Sequence, residues 1–401
     1  MKRIYFDHAA TTPTDGAVAE SMAVYMTQQY GNPSSVHAFG REARKAVAEA
    51  RGRVASLIGA KPEEIYFTSG GSESDNFALK GIAFANRAKG NHIVTTQVEH
   101  HAVLHTCQWL EKNGFRVTYL PVDADGCIHL SDLEAAITPE TILVSVMFAN
   151  NEVGTVQPIA EAARIAKARG VYFHTDAVQA VGALPVDVEA MGIDLLSLSG
   201  HKFYGPKGIG ALYVRRGVKI EPVQLGGAQE RKLRAGTENV PAIVGLGLAA
   251  QLAQAELTQR AEHTRALRDA LIAGIEARIP EVKLNGHRTQ RLPGNVNISF
   301  LYIEGESLLL SLDMKGIAAS SGSACTSGSL DPSHVLLAMG LTHEVAHGSL
   351  RLTLGRQNTR EEVDYALDAL EEIVKRLRSM SPLCAAHATA QNDCKVCYKR
   401  E

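Results

Sequence analysis

Between Glu64 and about Arg216 the hydrophobic period of the chain keeps changing, short apolar runs being separated by longer stretches at helical spacing. The runs read as strands at Ile65 to Thr68, His92 to Thr96, Val117 to Leu120, Ile142 to Phe148, Tyr172 to Thr175, Leu195 to Leu198 and Gly210 to Val214. This alternation constrains the fold more than any other feature, because a helix between two strands brings the second back beside the first in parallel. The expectation is an α/β fold with a mostly parallel seven-stranded sheet and helices on both faces. Open sheets of this kind hold ligands beyond the carboxyl ends of their strands, so the residues after each run are the candidates for chemistry.

Three strand ends carry such residues. Leu195 to Leu198 leads into Ser199-Gly-His-Lys202, where Gly200, Gly205, Gly208 and Gly210 let backbone approach a ligand closely. Tyr172 to Thr175 ends in Asp176, with Gln179 just beyond. Ile65 to Thr68 turns through Gly70 and Gly71 into a helix opened by Ser72, whose free N–H groups and hydroxyl make a phosphate seat. A phosphate seat, a carboxylate for a pyridinium nitrogen and a lysine for a Schiff base are together what pyridoxal phosphate needs from a protein. Two more strand ends belong to the same edge. Thr96-Gln-Val-Glu99-His100-His101 should turn at least one histidine into the cleft. The amides of Phe148-Ala-Asn150-Asn151-Glu152-Val-Gly154 either orient a cofactor hydroxyl or substrate carboxylate, or only build a turn.

Past Gly217 the pattern changes. A polar, basic loop from Gly226 to Asn239 precedes a long helical region from Pro241 to about Ile279. Strands at Val296 to Ile303, Ile317 to Ala319 and Leu350 to Leu354, with a helix from Glu306 to Met314, predict a smaller α+β domain. Thr359 and Glu362 form a capping box for the last helix, whose core face is Val363, Ala366, Leu367, Leu370, Ile373, Val374 and Leu377. The chain thus divides into a large domain over 14–260, a small domain from 1–13 with 261–382, and a tail over 383–401. Cys325 sits among Ser, Gly, Ala and Thr in Ser320-Ser-Gly-Ser-Ala-Cys325-Thr-Ser-Gly-Ser, which cannot pack it into a core. It reads as an exposed nucleophilic thiol.

Composition excludes some partners. A formal net charge of −2 leaves no electrostatic footprint for nucleic acid or an anionic membrane, and no run of about eighteen apolar residues predicts a membrane span. The N-terminus moves straight into strand-like sequence, so a cytoplasmic protein is expected. Six cysteines in 401 residues make a disulfide framework unexpected. Three of them, Cys384, Cys394 and Cys397, lie in the tail, where a lone Cys-x-x-Cys without a second pair is read as incidental thiols on a disordered end rather than as a metal site.

From about Tyr5 to Pro382 the chain resembles the cysteine desulfurases of the NifS and IscS kind. The resemblance is carried by Asp7-His-Ala-Ala-Thr-Thr12, Gly31-Asn-Pro-Ser-Ser35, Thr68-Ser-Gly-Gly-Ser-Glu-Ser-Asp-Asn76, Asn150-Asn-Glu-Val-Gly154, His174-Thr-Asp-Ala-Val-Gln179, Ser199-Gly-His-Lys202, Arg234-Ala-Gly-Thr-Glu-Asn239 and the Cys325 segment. It implies a fold-type I pyridoxal-phosphate homodimer that takes sulfur from L-cysteine, leaves L-alanine, and passes a persulfide to an iron–sulfur scaffold or other acceptor protein. By the same match Lys202 is the Schiff-base lysine and Cys325 the sulfur acceptor and a transient iron–sulfur ligand. Gly71, Ser72, Ser199 and His201 hold the phosphate, with Thr237 reaching across from the partner subunit. Asp176 pairs with the pyridinium nitrogen, Gln179 and Asn151 contact the cofactor, Asn151 also faces substrate, and His100 stacks on the ring and moves protons. Arg351 clamps the substrate carboxylate, with Arg356 as the alternative. An aminotransferase or selenocysteine lyase on the same fold, and an idle scaffold for iron–sulfur assembly, are the competing readings; an aminotransferase needs Lys202 and Asp176 but not Cys325.

Overall fold

The computed structural model describes residues 3–321 and 332–382. Its strands are β1 (Ile4–Tyr5), β2 (Ile65–Thr68), β3 (His92–Thr96), β4 (Arg116–Leu120), β5 (Thr141–Ser145), β6 (Tyr172–Asp176), β7 (Leu195–Ser199), β8 (Gly210–Val214), β9 (Val282–Leu284), β10 (Asn295–Phe300), β11 (Ile317–Ala318) and β12 (Ser349–Thr353). The helices are α1 (Gly16–Thr27), α2 (Ala38–Leu57), α3 (Gly71–Ala85), α4 (His101–Lys112), α5 (Leu130–Ala136) and α6 (Ile159–Ala168) in the first half of the chain. They continue as α7 (Val240–Arg278), α8 (Gly305–Met314), α9 (His334–Ala338), α10 (His343–His347) and α11 (Arg360–Met380).

Seven strands form the main sheet in the order β2-β8-β7-β6-β5-β3-β4. Every pair is parallel except those made by β8, which runs antiparallel to both β2 and β7. The sheet is therefore the mixed, mostly parallel one that the alternation predicts. β3, β5, β7 and β8 are buried along their whole length, as expected for strands covered on both faces by helices. The edge strand β4 is half exposed. One boundary departs from expectation. The apolar run to Phe148 continues beside β6, Val146 N–H donating to His174 O and Phe148 N–H to Asp176 O, but the strand ends at Ser145. There Met147 N–H is taken by the Glu99 carboxylate, a side chain in place of a strand neighbour.

A second core gathers around the antiparallel sheet β12-β10-β9 and the two-stranded pair β1-β11. β9 escaped the sequence reading because it is three half-exposed residues without an apolar run. The expected strand to Ile303 stops at Phe300, where the chain turns through Tyr302 at positive φ. α11 begins at the Thr359–Glu362 capping box and buries the predicted stripe Val363, Ala366, Leu367, Leu370, Ile373 and Val374. α7 joins the two cores: Ile243, Leu246 and Ala250 pack into the first and Leu267, Leu271 and Ile275 into the second. By length and composition alone α7 passes for a membrane span, yet those buried faces identify it as a core helix.

Candidate functional site

The parallel strands end on one edge of the main sheet, and the turns beyond them enclose a cavity of about 310 Å³. Lining it are Gly71 and Ser72 after β2, His100 after β3, Asn151 after β5, Asp176 and Gln179 after β6, and Ser199, His201 and Lys202 after β7. Arg351 of β12 closes it from the second core. One cavity therefore unites every sequence-predicted site residue among the described ones except Thr237 and Arg356.

At its outer end the walls are mostly main chain. α3 starts at Gly70 without a side-chain cap, leaving first-turn N–H groups for a ligand. Gly70 has φ 153° and ψ −175°, a conformation that favours glycine. A Cβ on Gly71 would lie 2.6 Å from Val178 Cγ2. Thus the glycines keep the turn thin against Ser199 and Val178. Gly71, Ser72, Ser199 and His201 also line an adjoining cavity of about 390 Å³ with Lys207, and His201 Nδ1 is fixed 3.1 Å from Thr11 Oγ1.

Lys202 occupies the middle. Its Nζ donates to Ala9 O at 2.5 Å and Ala10 O at 2.9 Å, and Gln179 Nε2 donates to the same Ala9 carbonyl. The N-terminal segment thereby holds the lysine in place, since Thr12 N–H also donates to His201 O. No motif pointed to this use of Ala9 and Ala10.

The inner end is buried and built from side chains. Asp176 is 6 % exposed and accepts from Val178 N–H. Burial raises its pKa, offset by that N–H and by the Lys202 ammonium. His100 caps α4 by accepting from Ala102 N–H, and burial with the Lys202 charge lowers its pKa to about 4, so it is a neutral base. Asn151 lines the cavity, whereas Asn150 is structural: its Oδ1 accepts from Glu152 and Val153 N–H. Arg351 is 3 % exposed and donates to Asn151 O and Asp7 Oδ1. Arg356 instead pairs with Asp15 and lines an adjoining cavity that shares Ala9, Gln179 and Lys202 with this one.

Two acids of this end escaped the sequence reading, Asp75 on α3 and Glu99 after β3. Asp75 was open to detection, because four residues after Gly71 on a helix is the same face. Thr237 is exposed and does not line the cavity. Cys325, Cys384, Cys394 and Cys397 lie outside the described residues. Among the described residues no group of His, Cys, Asp and Glu is arranged to hold a metal ion.

The cavity fits pyridoxal phosphate in each of its three demands: an uncapped helix start thinned by glycines, a buried carboxyl at the far end, and a lysine between them. The class-V aminotransferase family matches residues 4–366. The chain is 61% identical over 382 residues to a protein named cysteine desulfurase IscS from Methanosarcina thermophila, covering 95% of this chain and 94% of that one. It is 53% identical to a mouse cysteine desulfurase, covering 96% and 84%. Among solved structures, a NifS-like protein is 42% identical at a TM-score of 0.89, covering 94% of this chain and 100% of that one. SspA in complex with cysteine is 39% identical at 0.78, covering 89% and 100%. These likenesses run the length of both cores, and the chain belongs to the class-V aminotransferase family, within its cysteine desulfurases of the NifS and IscS kind.

Proposed function

We propose that this chain is a pyridoxal-phosphate-dependent cysteine desulfurase, a cytoplasmic homodimer that converts L-cysteine to L-alanine and hands the sulfur to an acceptor for iron–sulfur assembly. The observation that carries the reading is the single cavity in which Lys202, Asp176, His100 and Arg351 meet below the uncapped start of α3. Gly71, Ser72, Ser199 and His201 would hold the phosphate, Asp176 the ring nitrogen, and Gln179 and Asn151 the ring substituents. Bound there, the cofactor would act as an electron sink that acidifies the substrate Cα and loosens its carbon–sulfur bond.

The chain's own groups do the rest. Arg351 pairs with the substrate carboxylate in a two-pronged hydrogen bond. Lys202 Nζ, placed by the carbonyls of Ala9 and Ala10, takes the Cα proton once it is unprotonated. His100, neutral beside it, is able to accept the proton of the substrate thiol. The thiolate of Cys325 then attacks the substrate sulfur: an S–S bond forms, the C–S bond breaks, and its electron pair takes a proton to leave alanine. Thr237, exposed and away from this cavity, fits a role at the partner subunit's phosphate. The division at residues 14–260, 1–13 with 261–382, and 383–401 is part of the same proposal.

The test compares products in the wild type and Cys325→Ala. The desulfurase reading expects alanine and a mass gain of one sulfur on Cys325 in the wild type. The variant should bind L-cysteine with a colour change and release no alanine. A keto acid from the wild type, or full alanine yield from the variant, overturns it in favour of an aminotransferase.

A further inference from the structure

The inner end of the cavity holds more acids than cations. Asp75, Glu99 and Asp176 are 1 %, 0 % and 6 % exposed. Asp75 shares the cavity wall with Asp176, and Glu99 lies close enough to Asp176 for each charge to work against the other. Glu99 Oε1 accepts from Met147 N–H at 2.8 Å and Thr96 Oγ1 at 2.9 Å, but its Oε2 has no hydrogen-bond partner. Asp75 Oδ1 has none either and lies 3.7 Å from His174 Nε2.

The neighbours bring no compensating charge. His174 bridges Ser197 Oγ at 3.0 Å and Ser145 Oγ at 2.8 Å, and burial lowers its pKa to about 3. His100 is neutral for the same reason. The Cys107 thiol that faces Glu99 is pushed up by burial and stays protonated. Arg351, the other cation of this end, is paired with Asp7, and Lys202 is the cation that favours ionised Asp176. An isolated buried carboxylate costs several kcal/mol, and a like charge beside it adds to that, so one lysine sustains one negative charge here. Asp176 is that one, since it alone has both the Val178 N–H and Lys202 on its side.

Resting on the proposed function, we infer that Asp75 and Glu99 are held as neutral acids beneath the cavity and act as positioning residues, keeping Asp176 the single carboxylate available to a cationic ring nitrogen. The Asp75 proton has a place to go, because Ser197 lies beside Asp75 and leads through His174 to Ser145. Reversed, the chain runs from the Asp75 proton to Ser197, from Ser197 to His174 and from His174 to Ser145.

Infrared spectra of the full-length protein, with and without pyridoxal phosphate, test the inference. The wild type should show carbonyl bands of protonated carboxyl groups, one lost in Asp75→Asn and one in Glu99→Gln. Both amides should keep cofactor affinity within about twofold and leave the pH titration of the visible band unmoved. Asp75→Ala should weaken the cofactor about tenfold by opening the hydrogen-bond chain, and Asn should rescue it. Absence of the bands, an amide that shifts the visible titration, or an alanine variant that binds as tightly as the wild type overturns the inference. A protein that binds no pyridoxal phosphate but shows both bands overturns the proposed cofactor instead, so the two failures are distinguishable.

Discussion

At the outer end of the cavity, Gly70, Gly71 and the first turn of α3 offer main chain to a surface where Ser72 is exposed. At the inner end, Asp75, Asn151, Asp176 and Arg351 are each more than nine-tenths buried and act through side chains. The first arrangement needs only a local turn, since N–H groups at a helix start are free whatever the rest of the chain does. The second needs β6, α3, the turn after β5 and β12 to arrive together, because no one of them neutralises its own buried charge. The proposed anion seat is thus specified locally, whereas the charge state of the inner end is a property of the assembled fold.

Lys202 stands between the ends and its loss should be felt most. Lys202→Ala should lower alanine production on the order of 10³-fold or more with an unchanged far-ultraviolet spectrum. Borohydride reduction of the wild type should fix the cofactor to Lys202. Labelling of Lys207, which lines the outer cavity, would move the reactive centre to the main-chain end and break the comparison. Arg351→Gln is next, with kcat/KM for L-cysteine falling about a hundredfold as the fork on the carboxylate is lost. Arg356→Gln should change it less than about threefold, because that side chain pairs with Asp15 and does not line the cavity of Asp176 and Arg351. Equal losses would return Arg356 to the site. Gly71→Ala sharpens the other end: a Cβ 2.6 Å from Val178 Cγ2 must push the turn or the valine aside. The cofactor dissociation constant should rise about tenfold, measured by absorbance titration, with KM for L-cysteine little changed.

The two ends also differ in how far the sequence disclosed them. Strand, glycines and helix start are contiguous from Ile65 to Ser72, so the proposed phosphate seat was readable in order along the chain. Asp176, His100 and Lys202 were readable as strand-end residues, because a parallel sheet brings those ends to one edge whatever the strand order. The choice between Arg351 and Arg356 was not: one lies in β12 and the other just beyond it, each pairs with a distant aspartate, and what separates them is that Arg351 lines the cavity. Glu99 stayed hidden for a similar reason, since its partner is the Met147 N–H across the sheet edge. Asp75 was hidden only by attention to the glycines, as helical spacing already set it beneath Gly71.

The smallest expected effect is a slope with pH, and it belongs to the inner end. Glu152 is buried and accepts from Ser333 Oγ, and burial raises its pKa from 4.5 to about 7 in spite of the nearby Arg351. A carboxyl whose folded value lies above its unfolded value binds its proton more tightly in the native protein. Its contribution to stability is fully present below 4.5 and is lost as pH rises through about 7. Glu152→Gln keeps an acceptor for Ser333 and removes the titration. The stability of the variant relative to the wild type should therefore climb with pH across that window by about 1.4 kcal/mol per pH unit and level off above it. The histidines that titrate nearby are common to both proteins and drop out of the difference, which denaturant unfolding at a series of pH values measures. A flat difference means that Glu152 is already ionised, paired with Arg351. The inner end would then settle its charges pair by pair, as Glu73 does with Arg234 near the start of α3, and the contrast between the two ends would close.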